Sequence, residues 1–210
     1  MIIAIDGPAG SGKGTLARGL ANALNYAHLD TGKLYRCVGL AVLSRGKDPE
    51  DVDAALQEAK NIDLQNIDNI DIMGDVAAGA ASKVARFQEV RDELLKLQKD
   101  FANSPPRGCQ GAVIDGRDIG TVVCADADFK FFITASAEVR AERRHKELLA
   151  RGEPSIYARV LDDMVARDKS DKTRSIAPLR PASDAKVIDT SELDADTVLA
   201  TALRTIKAGG

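Results

Sequence analysis

The stretch Gly7-Pro8-Ala9-Gly10-Ser11-Gly12-Lys13-Gly14-Thr15 decides the fold. It follows a short apolar run at residues 2–5 and Asp6, and it leads into residues 16–24, where apolar side chains recur as on an amphipathic helix. A strand, a glycine-rich turn ending in lysine and a helix are together typical of a phosphate-binding loop. An ordinary glycine-rich turn is the alternative, and the complete GxxxxGK spacing disfavours it.

Main-chain amides and one lysine would give this stretch its affinity for phosphate. Glycines let backbone N–H groups curl around an oxyanion without side chains in the way. The N-terminus of the following helix adds about half a positive charge, and the lysine adds a mobile full charge. We therefore predict a nucleoside-triphosphate site formed by Gly7, Pro8, Ala9, Gly10, Ser11, Gly12, Lys13, Gly14 and Thr15.

The hydroxyl group of the motif is displaced by one position. Gly14 follows the lysine, where a serine or threonine usually binds Mg²⁺, and Thr15 comes one residue later. A metal here would therefore depend more on phosphates and water. Asp115, which ends a later apolar run, could hold the ion through water, as the acidic partner of a phosphate loop does. The alternative role for Asp115 is a cap of a turn or helix.

The composition is that of a globular protein. The chain has 210 residues, of which 44% are hydrophobic and 29% charged, and this suits one domain with a small insert. A net charge of -3 gives no reason to expect nucleic-acid binding. Cys37, Cys109 and Cys124 form neither a disulfide framework nor a zinc pattern. With no charged leader and no long apolar run, we expect a cytoplasmic protein without membrane contact, and a monomer.

Apolar runs and helical periodicity alternate along the chain. Strands are expected at 2–5, 27–30, 112–115, 130–133 and 187–189, with helices between them. Uninterrupted apolar runs suit strands covered on both faces. We therefore predict an α/β fold, a five-stranded parallel sheet flanked by helices, with ligands at the carboxyl ends of its strands. One helix is expected to begin at 48–50 and another to cover 155–167, and residues 168–180 are expected to be a mobile loop.

Residues 61–73 differ in character from the helices on either side. Their isoleucine spacing favours short strands split by a turn at Asp68-Asn69. We predict a single domain with a core at 1–60, 86–142 and 181–210, a small acceptor-binding insert at about 61–85, and a helical lid with an acceptor loop at about 143–180.

Basic residues are concentrated late in the chain. They are Arg140, Arg143, Arg144, Lys146, Arg151, Arg159, Arg167, Lys169, Lys172, Arg174 and Arg180. Many should lie on solvated helix faces, but guanidinium groups also stabilise the charge of a phosphoryl group in transfer. A lid carrying them would exclude water. Neither His28 nor His145 is placed as a base, and a phosphate acceptor needs none. The pattern favours a nucleoside monophosphate as acceptor.

Several blocks of the sequence resemble the bacterial cytidylate kinases. Besides the glycine-rich loop, they are Leu29-Asp30-Thr31-Gly32 with Leu34-Tyr35-Arg36, Ala80-Ala81-Ser82-Lys83-Val84-Ala85, Val90-Arg91, Asp115-Gly116-Arg117-Asp118-Ile119-Gly120-Thr121-Val122-Val123, and the spaced set Arg167-Asp168, Asp171, Arg174 and Ala177-Pro178-Leu179. The resemblance covers nearly the whole chain, and the last two blocks are far more specific than the loop alone.

This resemblance implies a nucleoside monophosphate kinase of the phosphate-loop type that transfers the γ-phosphoryl group of ATP to CMP or dCMP with Mg²⁺. It implies catalytic roles for Lys13, Arg117 and Arg167. Arg91, Asp118 and Arg174, helped by Thr31 and Ser82, would meet the cytosine; Arg167 and Asp171 would meet the pentose; Arg36 and Arg117 would meet the acceptor phosphate. Tyr35 is also among the implied CMP-binding residues. Thr15 and Asp115 would serve the metal, the aspartate through water.

Cytosine suits such a site because it presents an amino donor beside the acceptors N3 and O2, which a carboxylate and a guanidinium can read together. The segment before Ala80 looks shortened relative to family members. Two other classes stay open. Another small kinase, of the adenylate or shikimate type, is disfavoured by Arg91 with Asp118. A GTPase-like switch would carry an Asn-Lys-x-Asp signature, which this sequence lacks.

Overall fold

The computed structural model describes residues 1–62, 74–106 and 108–209. Along the chain lie β1 (Ile2–Asp6), α1 (Lys13–Leu24), β2 (Ala27–Asp30), α2 (Thr31–Ser44), α3 (Val52–Lys60), α4 (Asp75–Val84), α5 (Gln88–Asn103), β3 (Ala112–Gly116), β4 (Phe129–Thr134), α6 (Ala137–Ala150), α7 (Tyr157–Thr173), β5 (Lys186–Asp189) and α8 (Ala195–Gly209). The strands predicted within 61–73 lie almost entirely outside the described residues. Among the described helices, none is long and apolar enough to cross a membrane.

The strands form one sheet in the order β2-β3-β1-β4-β5. β1 is central and pairs in parallel with β3 and with β4, and β4 pairs in parallel with β5. The prediction of a five-stranded parallel sheet flanked by helices is confirmed. Because carboxyl ends of parallel strands meet at one edge, the segments after β1, β3, β4 and β5 share that edge.

The chain divides into two compact units, one formed by Met1–His28 with Pro105–Gly210 and the other by Leu29–Ser104. The core of the first unit lies between the sheet and its flanking helices. Ile3, Ile5 and Phe131 of the sheet are almost completely buried there, against Leu20 of α1 and Ala202 of α8. Burying each large side chain stabilises the fold by about 1.5–3 kcal/mol, so this packing fixes the strands whose ends carry the site.

The second unit is helical and has a core of its own. Leu34, Val38 and Val42 of α2 pack with residues of α3, α4 and α5, including Leu94. α2 and α4 approach so closely that a Cβ on Gly39 would stand 2.6 Å from the Cβ of Ala80. No side chain larger than hydrogen fits at that position without moving one of the two helices.

The helix start predicted at 48–50 is wrong. α3 begins at Val52 and not at 48–50, because the Asp51 carboxylate accepts from the N–H groups of Asp53 (3.0 Å) and Ala54 (3.1 Å) and so caps the helix. α2 begins directly at Thr31, since Asp30 caps it by accepting from the N–H of Gly32. In both helices the capping aspartate immediately precedes the first helical residue.

The mobile loop expected at 168–180 is also wrong. Residues 168–173 continue α7, because the charged side chains of Asp168 and Asp171 have ion-pair partners in Arg140 and Arg117. The segment that follows is fixed as well: the N–H of Leu179 donates to the carbonyl of Asp171 at 2.8 Å. Charge alone suggested a solvated loop, but pairing makes this polar helix part of the folded unit.

Candidate active site

The phosphate loop connects β1 to α1 as predicted. Gly10 and Gly12 adopt positive φ values, 73° and 88°, which favour glycine, and α1 begins directly at Lys13. Two loop carbonyls are bound from outside: Nη1 of Arg140 donates to Ala9 O at 3.1 Å, and Oγ1 of Thr190 donates to Ser11 O at 3.0 Å. These bonds fix the path of the loop's main chain.

Arg140 has a structural role that the sequence did not indicate. Its side chain is buried and binds Asp168 with both ends of the guanidinium, Nη1 to Oδ1 at 3.1 Å and Nη2 to Oδ2 at 2.6 Å. Its Nε donates to the carbonyl of Ala135 at 3.0 Å. A bidentate pair with further hydrogen bonds is the geometry that can offset the desolvation of buried charges. Arg140 therefore joins α6, α7 and the phosphate loop.

A cavity of about 270 Å³ lies beside the loop. Gly12, Thr15, Arg143, Leu193 and Ala195 are among the residues that line it. Arg143 is held there by Thr190: its Nη1 donates to the hydroxyl at 3.0 Å and its Nη2 to the carbonyl at 2.6 Å. The cavity thus has an arginine, apolar side chains and the start of α1 on its walls.

Asp115 lies at the end of β3, buried, next to the start of α1. Its Oδ1 is 2.7 Å from Nε2 of His28, and its Oδ2 would be 3.9 Å from a Cβ placed on Gly14. The contact with His28 orients the carboxylate, as a partner of a metal-binding group does.

The segment after β3 contains a π-helix, Ile119–Val123. The carboxylate of Asp6 accepts from the N–H groups of Ile119 (2.7 Å) and Gly120 (2.8 Å). Burial raises the pKa of Asp6 to about 6, although these two N–H groups oppose the rise. A buried carboxylate at the end of β1 therefore binds the start of the π-helix that follows β3.

Two residues of this segment, Arg117 and Asp118, each pair with an oppositely charged side chain from later in the chain. Nε of Arg117 donates to Oδ2 of Asp171 at 3.0 Å. Nη2 of Arg174 lies 3.7 Å from Oδ1 of Asp118, too far for a hydrogen bond, while its Nε donates to Ala177 O at 2.7 Å. The structure thus brings together four of the predicted acceptor residues, and Arg167 lies on the same helix as Asp171.

The other predicted acceptor residues belong to the helical unit. Arg91 is buried on α5, its Cζ 5.8 Å from the centre of the Tyr35 ring, and its Nη1 donates to Ala85 O at 3.4 Å. A guanidinium within about 6 Å of an aromatic ring is attracted by it. Thr31 is buried at the start of α2, Arg36 lies on the same helix, and Ser82 lies on α4.

Four residues at the site were not among the predicted site residues: Asp6, Arg140, Arg143 and Thr190. Asp6 had a signal, because an acidic residue between an apolar strand and a phosphate loop is placed at the carboxyl edge. Thr190 had a similar one, directly after β5. The partners of Arg140 and Arg143 lie 28 and 47 positions away in the sequence, and no local pattern reveals such pairs.

A family model and two relatives of this chain carry the same description. A family model described as cytidylate kinase matches residues 3–208. A cytidylate kinase of Rhodospirillum rubrum is 54% identical over 203 residues, 97% of this chain and 95% of the relative. One from Paramagnetospirillum magneticum is 54% identical over 202 residues, 96% of this chain and 95% of the relative.

Among solved structures, an uncharacterized protein from Eubacterium ventriosum is similar with a TM-score of 0.58 and 16% identity, over 99% of this chain and 98% of that one. At this identity the likeness shows the fold alone. The family model and the two relatives extend over nearly the whole chain, including the phosphate loop, the π-helix and α7. The chain belongs to the cytidylate kinase family.

Proposed function

We propose that this protein transfers the γ-phosphoryl group of ATP to CMP or dCMP, giving ADP and CDP or dCDP. The observation that carries the proposal is the pair of arginine–carboxylate contacts beside the phosphate loop, Arg117 with Asp171 and Arg174 with Asp118. Its relatives are named for the same activity. A triphosphate site alone would suit any phosphate-loop kinase; paired acids and arginines suit a cytosine nucleotide.

The donor would bind along the start of α1. Its phosphates would accept from main-chain N–H groups of the loop, and Lys13 would stabilise charge on the outer phosphates. The cavity of about 270 Å³ would take the nucleoside, with apolar contacts from Leu193 and Ala195 and the Arg143 guanidinium above the phosphates or the base. The loop's fixed path keeps this site formed before the donor arrives.

The residues around Gly14 fit a magnesium ion held through water. Asp115 supplies carboxylate oxygen, the ligand type that Mg²⁺ prefers, and Thr15 supplies a hydroxyl that is exposed at the start of α1. In the described part of the chain, no group of three or more histidine, cysteine or acidic side chains could hold a metal by itself. Phosphates and water would complete the shell, and the ion would neutralise charge on the β- and γ-phosphates.

The acceptor would use the two pairs differently. Asp118 can accept from the cytosine amino group while Arg174 donates to O2 or N3, and the 3.7 Å gap between them leaves both groups able to turn toward a base. Arg117 would leave or share Asp171 to bind the acceptor phosphate, and Asp171 with Arg167 would meet the pentose. The transferring group then lies among arginines that stabilise its charge.

Thr31, Tyr35, Arg36, Ser82 and Arg91 complete the proposed acceptor set. All five belong to the helical unit Leu29–Ser104. Arg91 would contribute to cytosine recognition, and Arg36 to the acceptor phosphate. The division into core, insert and lid is proposed with them, as are the monomeric state and the absence of nucleic acid among the partners.

An acceptor panel tests the function. Purified protein with ATP and Mg²⁺ is assayed with CMP, dCMP, UMP, AMP and GMP, and we expect the highest kcat/KM with a cytosine nucleotide. Equal use of AMP or UMP would contradict the proposal, and a preference for AMP would favour a kinase of the adenylate type. Slow ATP hydrolysis without phosphoryl transfer would favour a switch protein.

The matched test of recognition is Arg174→Ala beside Arg159→Ala. Arg159 is an exposed arginine on α7, the helix that ends immediately before Arg174. Removing a side chain that contacts the base in the transition state should raise the KM for CMP and lower kcat, by about 10²-fold in kcat/KM. The control should stay within about 2-fold. Unchanged kinetics of Arg174→Ala would remove it from the site.

A further inference from the structure

Asp6 is a buried carboxylate that has no role in the binding of ATP or of the acceptor nucleotide as described above. It is the last residue of β1 and immediately precedes the phosphate loop, yet its two hydrogen bonds go to a different loop. One oxygen accepts from the N–H of Ile119 at 2.7 Å and the other from the N–H of Gly120 at 2.8 Å. Each carboxylate oxygen therefore holds one main-chain amide.

Those two amides begin the π-helix that directly follows Arg117 and Asp118. The helix closes with the N–H of Cys124 donating to Ile119 O at 2.7 Å. Single π-helical turns are rare and occur mostly at functional sites. Because the carboxylate binds two consecutive residues, it fixes both the position and the direction of the main chain immediately after Asp118.

Close packing shows that the segment has little freedom to sit elsewhere. A Cβ on Gly120 would stand 3.3 Å from Cδ of Lys130 and 3.4 Å from Oδ2 of Asp6. The far end of Lys130 is itself fixed, since its Nζ donates to Ala125 O at 2.6 Å and to Asp184 at 2.7 Å. The segment is thus enclosed by Asp6 on one side and by Lys130 on another.

We propose that Asp6 is a positioning residue for the acceptor nucleotide: by holding Ile119 and Gly120 it fixes where Arg117 and Asp118 stand. This inference rests on the proposed function, in which those two residues bind the acceptor. The phosphate loop has other anchors, since Arg140 binds Ala9 O and Thr190 binds Ser11 O. Loss of the Asp6 contacts should therefore disturb the acceptor side more than the donor side.

Asp6→Asn tests this at nearly constant volume. An amide has one oxygen to accept with, so its NH₂ group faces one of the two main-chain N–H groups, and that contact is lost. We expect the KM for CMP to rise about 10-fold and the KM for ATP to change less than about 2-fold. Asp6→Glu, which keeps the charge but moves it by one methylene, should show the same inequality, and it serves if the asparagine variant does not fold.

The matched control is Asp128→Asn. Asp128 also accepts from a main-chain N–H, that of Ile2 at 2.6 Å, but at the opposite end of β1. It should leave both KM values within about 2-fold. Equal rises of the two KM values in the Asp6 variants, or no change in either, would overturn the positioning role. A wild-type protein that does not use CMP would refute the proposed function itself, before any variant is compared.

Discussion

The loops after β1 and β3 are held in opposite ways. In the phosphate loop, side chains donate hydrogen bonds to main-chain carbonyl groups: Arg140 donates to Ala9 O and Thr190 donates to Ser11 O. In the π-helical loop, the carboxylate of Asp6 instead accepts hydrogen bonds from the main-chain N–H groups of Ile119 and Gly120. A loop that is bound through its carbonyls keeps its N–H groups for a ligand, whereas one bound through its amides must serve the ligand with side chains.

This difference explains the composition of the two loops. The first has small residues and a single lysine, and the triphosphate that we propose for it would be bound by main-chain N–H groups, which carry no base specificity. The second carries Arg117 and Asp118 at its start, where side-chain chemistry can select a base. We infer that the donor site depends on the shape of the backbone and the acceptor site on the placement of a few side chains.

The largest effect should come from the one charged side chain of the first loop. Lys13→Ala removes the full positive charge at the start of α1, and we expect kcat to fall about 10³-fold because that charge stabilises the phosphates during transfer. The exposed Lys96→Ala serves as control, and circular dichroism checks that both variants fold. Activity of Lys13→Ala within about 10-fold of wild type would show that the donor binds elsewhere.

The anchor of the first loop should matter for stability as well. Arg140→Ala leaves the partly buried carboxylate of Asp168 without its bidentate partner, which should cost about 3 kcal/mol in the free energy of unfolding. Urea unfolding measures this. Lys146→Ala on the same helix removes only an exposed pair with Glu142 and should change stability by less than about 0.5 kcal/mol.

A double variant separates charge from packing at this anchor. Arg140→Met with Asp168→Leu removes both charges and should recover much of the lost stability. Its kcat should still be reduced, because the bond to Ala9 O is lost together with the arginine. Recovery of full activity in the double variant would show that Arg140 does not hold the loop.

The contrast between the two loops also explains what the sequence could predict. The phosphate loop, the five strands and the predicted acceptor set are local patterns, or blocks typical of a family. The anchors are not. Asp6 and Gly120 are separated by 114 positions and Arg140 and Asp168 by 28, so only the sheet order and the packing of α6 against α7 bring them together.

The charged segment after residue 167 shows the same limit in the other direction. Its polarity correctly excluded it from the apolar core, but polarity does not distinguish a solvated loop from a helix whose charges are paired. Asp171 is buried and bound to Arg117 in the structure. A pairing partner 54 positions away decides the outcome.

The anchor of the second loop should depend on pH. Burial raises the pKa of Asp6 from 3.8 to about 6; the two N–H groups and Arg117 oppose the rise, and Asp118 adds to it. Because the native pKa lies above the unfolded one, the native state binds the extra proton, and ionisation of Asp6 lowers stability as pH rises through this window. Asp6→Asn carries no such cost.

Urea unfolding of wild type and Asp6→Asn at pH 4.5 and pH 7.5 measures this effect. The stability of the variant relative to wild type should rise by about 2 kcal/mol between these two values and level off above the native pKa. A constant difference between the two proteins would show that Asp6 ionises normally.

The smallest effect should come from adding a side chain to the first loop. A Cβ on Gly14 would lie 3.6 Å from Nη1 of Arg18 and 3.9 Å from Oδ2 of Asp115, both ordinary contacts, so Gly14→Ser should fold unchanged. It places a hydroxyl next to Lys13, near the proposed metal position. We expect the Mg²⁺ concentration for half-maximal activity to fall by about 2–5-fold, with kcat within about 3-fold.

Gly14→Ala is the matched control, because it adds the same Cβ without the hydroxyl. It should leave the Mg²⁺ requirement unchanged. Equal shifts in both variants would mean that the Cβ alone disturbs the site, and that glycine is needed there for close approach of a ligand. A lower requirement in the serine variant alone would show that a hydroxyl at position 14 reaches the metal, and that the wild-type site relies instead on Asp115, Thr15, phosphates and water.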